Sequence, residues 1–197
     1  MKASRSTIAL RARVPLMVLL AAGGVIAYKH WFSAYHLATV QSGVLYRDGG
    51  KSIHQMSSAV EQVGARTVVS LVDDQEMTDP TKPQFAEEEP YLKSHGVYYQ
   101  RIGVKLGGWP SSGDIQAFLH TVADPTSRPV LIHCAQGVRR TAMFVAAYQE
   151  SVLGYDKTQA KAAIVSFGHS DRTIDDIVRF IDNYDPKSCT VGDLSKQ

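Results

Sequence analysis

At 197 residues the chain has room for one domain of ordinary size with a real core, plus a terminal extension. Its 44% hydrophobic and 20% charged residues are the balance of a folded domain and argue against wholesale disorder. A net charge of +2, with no basic stripe interleaved with aromatics, gives no footprint for nucleic acid, and two cysteines with seven scattered histidines fit neither a disulfide framework nor a metal site.

The first segment, MKASRSTIALRAR, carries Lys2, Arg5, Arg11 and Arg13 without an acid, and an uncharged run from Val14 to Tyr28 follows it. As a helix that run covers roughly 22 Å, and extension to Phe32 brings it to about 28 Å, close to the ~30 Å of a bilayer core. It reads as a single membrane anchor with Lys29 and Trp31 at the interface, or as a signal peptide cleaved near Ala27, with a buried soluble helix as the third reading. Either of the first two places the remainder outside the cytoplasm: anchored with an extracytoplasmic domain, or secreted or periplasmic after cleavage.

From Gln41 the punctuation is regular. GVLYRD is a short strand, GGKS a turn, and IHQMSSAVEQVG an amphipathic helix stopped at Gly64. ARTVVSLV is a buried, β-branched strand, whereas DDQEMTDPTKP reads as loop because its two prolines and three aspartates break any period. QFAEEEPYLKSHG is a helix interrupted or begun near Pro90, VYYQRIGV a strand, and KLGGWP a loop. SSGDIQAFLHTVAD opens a helix with Ser and Asp in its first turn. RPVLIHC is a strand, AQGVR a loop, and RTAMFVAAYQESVLG a helix whose small apolar residues suit burial on several sides. DKTQAKAAIVSFG and SDRTIDDIVRFIDNY are two further helices, and the tail from Pro186 is polar. Strands alternating with helices predict an α/β domain with a central, mostly parallel sheet of about four to five strands.

In such a sheet ligands bind where a strand ends and a helix begins, and that is where Cys134 lies. A loop containing Gly137 lets successive N–H groups converge as an anion nest, and the following helix adds positive potential. A thiol there loses its proton more readily and becomes a nucleophile. The loop N–H groups of Ala135, Gln136, Gly137, Val138 and Arg139 would then hold the oxygens of a transferring phosphate. Arg140 offers a planar fork for the charge that develops. His133 is placed to orient the loop from behind, and Thr141 to donate its hydroxyl to the thiolate.

The run His133, Cys134, five residues, Arg140, Thr141 resembles the hallmark of the cysteine-dependent protein tyrosine and dual-specificity phosphatase superfamily. The resemblance extends over roughly residues 37–184. GVLYRDGG is similar to an opening strand in which Ser is usual at Asp48, and GARTVVSLVDD and HGVYYQRIGV are similar to the next core strands of small atypical dual-specificity phosphatases. It implies a phosphate loop between the central strand and a helix, and hydrolysis through a cysteinyl-phosphate without metal or cofactor. Two departures stand out. Ala142 replaces the usual Gly, and the loop GVKLGGWPSSGD has no acid near Leu106, Gly107 or Ser111, where the family's proton donor is expected. Asp114 is the nearest carboxylate, with Asp73 and Asp74 next, although Asp114 equally suits a helix start.

The expected partners are phosphorylated proteins carrying phosphotyrosine, phosphoserine or phosphothreonine, or small phosphate esters, together with a membrane through the N-terminal segment. An inositol phosphate or phosphoinositide phosphatase is the first alternative, although AQGVR lacks the Lys and His expected for a highly charged ring. A catalytically weak phosphate-binding module is the second, and sulfur transfer a distant third. Arg139 reads either as a second phosphate contact or as an exposed helix-start residue, Trp109 as a cleft wall or a packing residue, and Cys189 as a free thiol or a reversible partner of Cys134. The organisation is then 1–36 basic N-terminus with anchor or signal, 37–185 phosphatase domain, and 186–197 flexible tail.

Overall fold

The structure, a computed structural model, describes residues 33–165 and 167–191, with the isolated positions 18, 23 and 24. The chain divides into two units, residues 1–33 and Ala34–Gln197, and every element below belongs to the second. Its elements are β1 (Ala38–Gln41), β2 (Leu45–Gly49), α1 (Ile53–Val63), β3 (Thr67–Ser70), α2 (Asp74–Met77), α3 (Pro83–Ser94), β4 (Tyr98–Arg101) and α4 (Ser112–Ala123). After them come β5 (Val130–Cys134), α5 (Arg139–Ser151), α6 (Lys157–Ala162), α7 (Asp171–Asn183) and the short pair β6 (Tyr184–Asp185) and β7 (Thr190–Val191).

The sheet runs β1-β2-β5-β3-β4, with β2, β5, β3 and β4 parallel and β1 antiparallel at one edge. The strands alternate between two cores, as a period of two requires. Val68 and Leu131 face α1 and α3 with Met56, Ala59 and Leu92. Val69, Val130, Ile132 and Cys134 face the other side, where Phe118, Met143, Phe144 and Phe180 close the larger core. This alternation decides the chemistry: consecutive residues of β5 send His133 to one face and Cys134 to the other.

The mostly parallel α/β sheet matches the expected fold, and the differences are local. β1 was not predicted; it pairs with β2 across a tight turn, with Val44 N donating to Gln41 O (3.1 Å). The segment read as loop over 73–83 holds α2, one turn whose capping box is formed by Asp73 and Glu76. α3 starts at Pro83 and carries Pro90 inside it. The helix predicted over 156–168 stops at Ala162, and residues 184–191 form the β6–β7 hairpin where a loose tail was expected from Pro186.

The membrane placement requires correction. No helix among the described residues is long and apolar enough to cross a membrane, so the single-pass anchor, the membrane partner and the extracytoplasmic location are not upheld. The run 14–32 that suggested them lies, apart from positions 18, 23 and 24, outside the described residues, as do residues 192–197 of the tail.

Candidate active site

Cys134 ends the central strand and Arg139 begins α5, so the loop between them closes over the C-terminal edge of the sheet. Gly137 takes the left-handed conformation (φ 68°), and a Cβ there would lie 2.1 Å from the Asp48 carbonyl oxygen. Only glycine lets the loop approach β2 this closely. Arg47, buried in β2, reaches under the loop and donates through Nη2 to Gly137 O (2.6 Å) and Val138 O (3.4 Å), while Gly50 N donates to Cys134 O (3.0 Å). Burial pushes Arg47 down to about 10, held up in part by the negative charge at Cys134. Among the described residues no backbone carbonyl takes the N–H groups of 135–138, which leaves them for the hollow of the loop.

Burial of Cys134 raises its thiol pKa, but Arg140, the Thr141 hydroxyl and the N–H groups of Thr141 and Gln136 outweigh it, and the thiol ends below its ordinary value. Arg140 is itself fixed. Nη1 donates to Leu71 O (3.0 Å), Val104 O (3.0 Å) and Glu76 Oε2 (2.5 Å), and Nη2 donates to Glu76 Oε1 (3.0 Å). Among the described residues its Nε–H and one Nη2–H are left for a ligand.

Beneath the loop, on the opposite face, His133 Nε2 meets Glu88 of α3 in a buried ion pair, and Glu88 accepts from Ser70 Oγ (3.3 Å). Burial pushes the imidazole down, but Glu88, Asp48 and Cys134 overcome it and raise it to about 9. Asp48, paired in register with His133, is fully buried with neither carboxylate oxygen hydrogen bonded. Burial lifts it to about 7 against the pull of His133.

The cleft above Cys134 measures about 360 Å³ and is lined by Glu76, Lys82, Leu106, Gly107, residues 134–136, residues 138–140, His169 and Thr173. Among the described residues no group of three or more His, Cys, Asp or Glu is placed to hold a metal ion. One wall is the loop before α4, and it is fastened on two sides: Leu106 N donates to Asp73 Oδ2 (2.9 Å), while Arg139 donates to Gly108 O (2.6 Å) and Gly107 O (3.0 Å) and ion-pairs with Asp176 of α7. The opposite wall clasps Gln136. His36 Nδ1 donates to its carbonyl (2.8 Å), His169 Nε2 donates to its side-chain Oε1 (3.0 Å), and the His36 ring stacks on Phe167 at 4.3 Å.

Cys134, Ala135, Gln136, Val138, Arg139 and Arg140 thus line the cleft, Gly137 makes its bend, and His133 and Thr141 support it from buried positions. The carboxylates expected as proton donors are not brought to it. Asp114 caps α4, its Oδ2 accepting from Ser111 N (2.7 Å) and Ser111 Oγ (2.7 Å). Asp73 caps α2; burial opposes its ionisation, yet hydrogen bonds from Glu76 and Leu106 and the charge of Arg140 hold its carboxyl below the usual range. Asp74 pairs with Arg101 in a separate hollow. Arg139 is a latch for the neighbouring loop. Trp109 is a packing residue, its ring edge-on to Phe180 and its Nε1 donating to Asp176 (3.2 Å). Both cysteines are free thiols. Residue-by-residue reading missed Glu76, Arg47, Lys82 and His169; only Glu76 left a signal, the D-x-x-E spacing of a capping box at Asp73.

A family described as DSP-PTPase phosphatase fused to NAD+ kinase matches residues 29–178. No curated protein sequence matches the chain. Among solved structures, the core catalytic domain of the PP-IP phosphatase Siw14 from S. cerevisiae, in complex with citrate, is 20% identical with a TM-score of 0.62, over 78% of this chain and 87% of that one. TpbA from P. aeruginosa is 22% identical with a TM-score of 0.61, over 79% and 88%. PTPMT1 in complex with PI(5)P is 16% identical with a TM-score of 0.52, over 75% and 95%. At these identities the likeness is one of fold.

Proposed function

The chain belongs to the DSP-PTPase phosphatase family, and from that premise we propose that its domain, residues 37–185, hydrolyses aryl phosphate monoesters, phosphotyrosine in proteins foremost, through a phosphocysteine at Cys134. The observation that supports this best is the thiol held below its ordinary pKa at the start of a loop whose 135–138 N–H groups are taken by no backbone carbonyl among the described residues. Cys134 Sγ attacks phosphorus and forms the S–P bond as the ester P–O bond breaks. The N–H groups of 135–139 bind the equatorial oxygens, and the free edge of Arg140 takes up the charge developing on them. Water then attacks the phosphocysteine, releases inorganic phosphate and returns the thiolate. Positive charge for both steps comes from Arg140 and the loop dipoles, so the chemistry calls on no metal.

The preference for aryl esters follows from the proton inventory. Among the described residues Glu76 is the one carboxylate that lines the cleft, and Arg140 engages both its oxygens. An alkyl leaving oxygen needs a proton that no free carboxylate here supplies, whereas a phenolate departs without one. Absent general acid catalysis costs about 10² to 10⁴ in rate. Acid quenching during turnover of ³²P-labelled phosphotyrosine peptide should trap labelled protein, Cys134→Ser should abolish both label and turnover, and phosphoserine peptide should react at least about 100-fold more slowly. Turnover that survives Cys134→Ser sinks the mechanism; equal rates on the two peptides sink the aryl preference.

A further inference from the structure

Beside the catalytic cleft lies a second pocket of about 420 Å³, which shares Gly107, Arg139 and Thr173 with it and is otherwise built from α7 and Trp109. Its charge is unbalanced, because Arg139, Arg172 and Arg179 face a single carboxylate, Asp176. That carboxylate is saturated: it accepts from Arg179 Nη2 (2.8 Å) and Trp109 Nε1 (3.2 Å) and pairs with Arg139. Arg172 is exposed and has no acidic partner within ion-pair distance among the described residues. It sits one residue before Thr173, which belongs to both pockets, so a group bound by Arg172 lies in the pocket that adjoins the cleft of Cys134.

We infer that this pocket is a subsite for a second anionic group on the same substrate, read by Arg172 with Arg179 beside it. Resting on the phosphatase reading, the occupant is a phosphorylated or carboxylate side chain flanking the phosphotyrosine of a peptide. Arg139 is excluded as the reader, since its guanidinium is held by Asp176 and two loop carbonyls. A guanidinium left without a counter-ion at a concave wall suits an oxyanion, to which it can present two parallel N–H groups. The catalytic cleft adds only Lys82, itself paired with Asp79 (3.0 Å), and His169, so a second charge is read outside it.

The test compares kcat/KM for a phosphotyrosine peptide with neutral flanks against the same peptide carrying glutamate or phosphothreonine beside the phosphotyrosine, using the full chain. Wild type should favour the anionic flank, and 0.5 M salt should shrink that preference. Arg172→Ala should cut the ratio of the two kcat/KM values by about fivefold, the scale of an exposed ion pair, and Arg172→Lys should restore part of it. A ratio indifferent to Arg172 for peptides and for inositol phosphates alike overturns the subsite even where both peptides are turned over. A ratio unchanged for peptides but lowered for an inositol bisphosphate against a monophosphate overturns the peptide occupant. Absence of turnover of either peptide by wild type is instead a failure of the phosphatase reading.

Discussion

At Gly137 two requirements coincide: a left-handed backbone, and a carbonyl oxygen of Asp48 where any side chain would begin. Gly64 shares the first without the second, for nothing lies within 4 Å of a Cβ placed there. Gly137→Ala should therefore cost clearly more than the roughly 1–2 kcal/mol of the left-handed strain alone and should eliminate turnover, whereas Gly64→Ala should cost about that strain and keep activity; urea unfolding of both variants beside a phosphatase assay checks the contrast. The nucleophile, the arginine and this glycine were legible because their spacing along one loop is itself the chemistry. The partners of the loop were not. Glu76 meets Arg140 across 64 positions, and Asp48 meets His133 only because β2 and β5 run in register, relations that belong to packing rather than to local pattern. Asp114 shows the converse, since a carboxylate at a helix start is satisfied locally, and the neighbouring serine claimed it.

One turn of helix, α2, does work out of proportion to its length. Its capping box turns Glu76 inward, and the same carboxylate grips Arg140 through both oxygens, while Asp73 at its start holds the wall of the cleft through Leu106. Both Glu76 and Arg140 are buried. Glu76→Ala should leave a buried guanidinium without its counter-charge, at about 3–5 kcal/mol of stability, and should lower kcat as the arginine loses its orientation; denaturant midpoints and steady-state kinetics on an aryl phosphate measure the two effects. Four residues among prolines and aspartates give too short a window for helical periodicity, which is why this segment read as a loop. The β-branched, buried strands β3 and β5 and the amphipathic helix α1 read correctly because their apolar pattern is unbroken, and β1 was overlooked because only its pairing with β2 distinguishes it.

For the whole molecule, the charges buried under the phosphate loop set a pH dependence of known sign. Asp48 rises from 3.8 to about 7 and His133 from 6.5 to about 9, so both bind protons more readily in the folded chain than in the unfolded one. Folding stability from Asp48 falls as pH climbs between about 4 and 7, and that from His133 is complete below about 6.5 and lost as pH rises through 9. In a Cys134→Ser background, which removes the thiol's own titration, unfolding free energy should decline across both windows, and Asp48→Asn should flatten the lower one and draw the upper one to lower pH, because Asp48 is one of the groups that raise His133. A lower window unaltered by Asp48→Asn would show that this carboxyl does not titrate as described. The α/β architecture was readable from alternation alone, whereas the placement inferred from residues 14–32 rested on the hydropathy of a run that lies, apart from positions 18, 23 and 24, outside the described residues. The latch of Arg139 carries a kinetic consequence. One guanidinium rivets the wall before α4 to α7, so the aperture over the sulfur is set before any ligand arrives. Opening that wall would mean parting an ion pair and two hydrogen bonds at once.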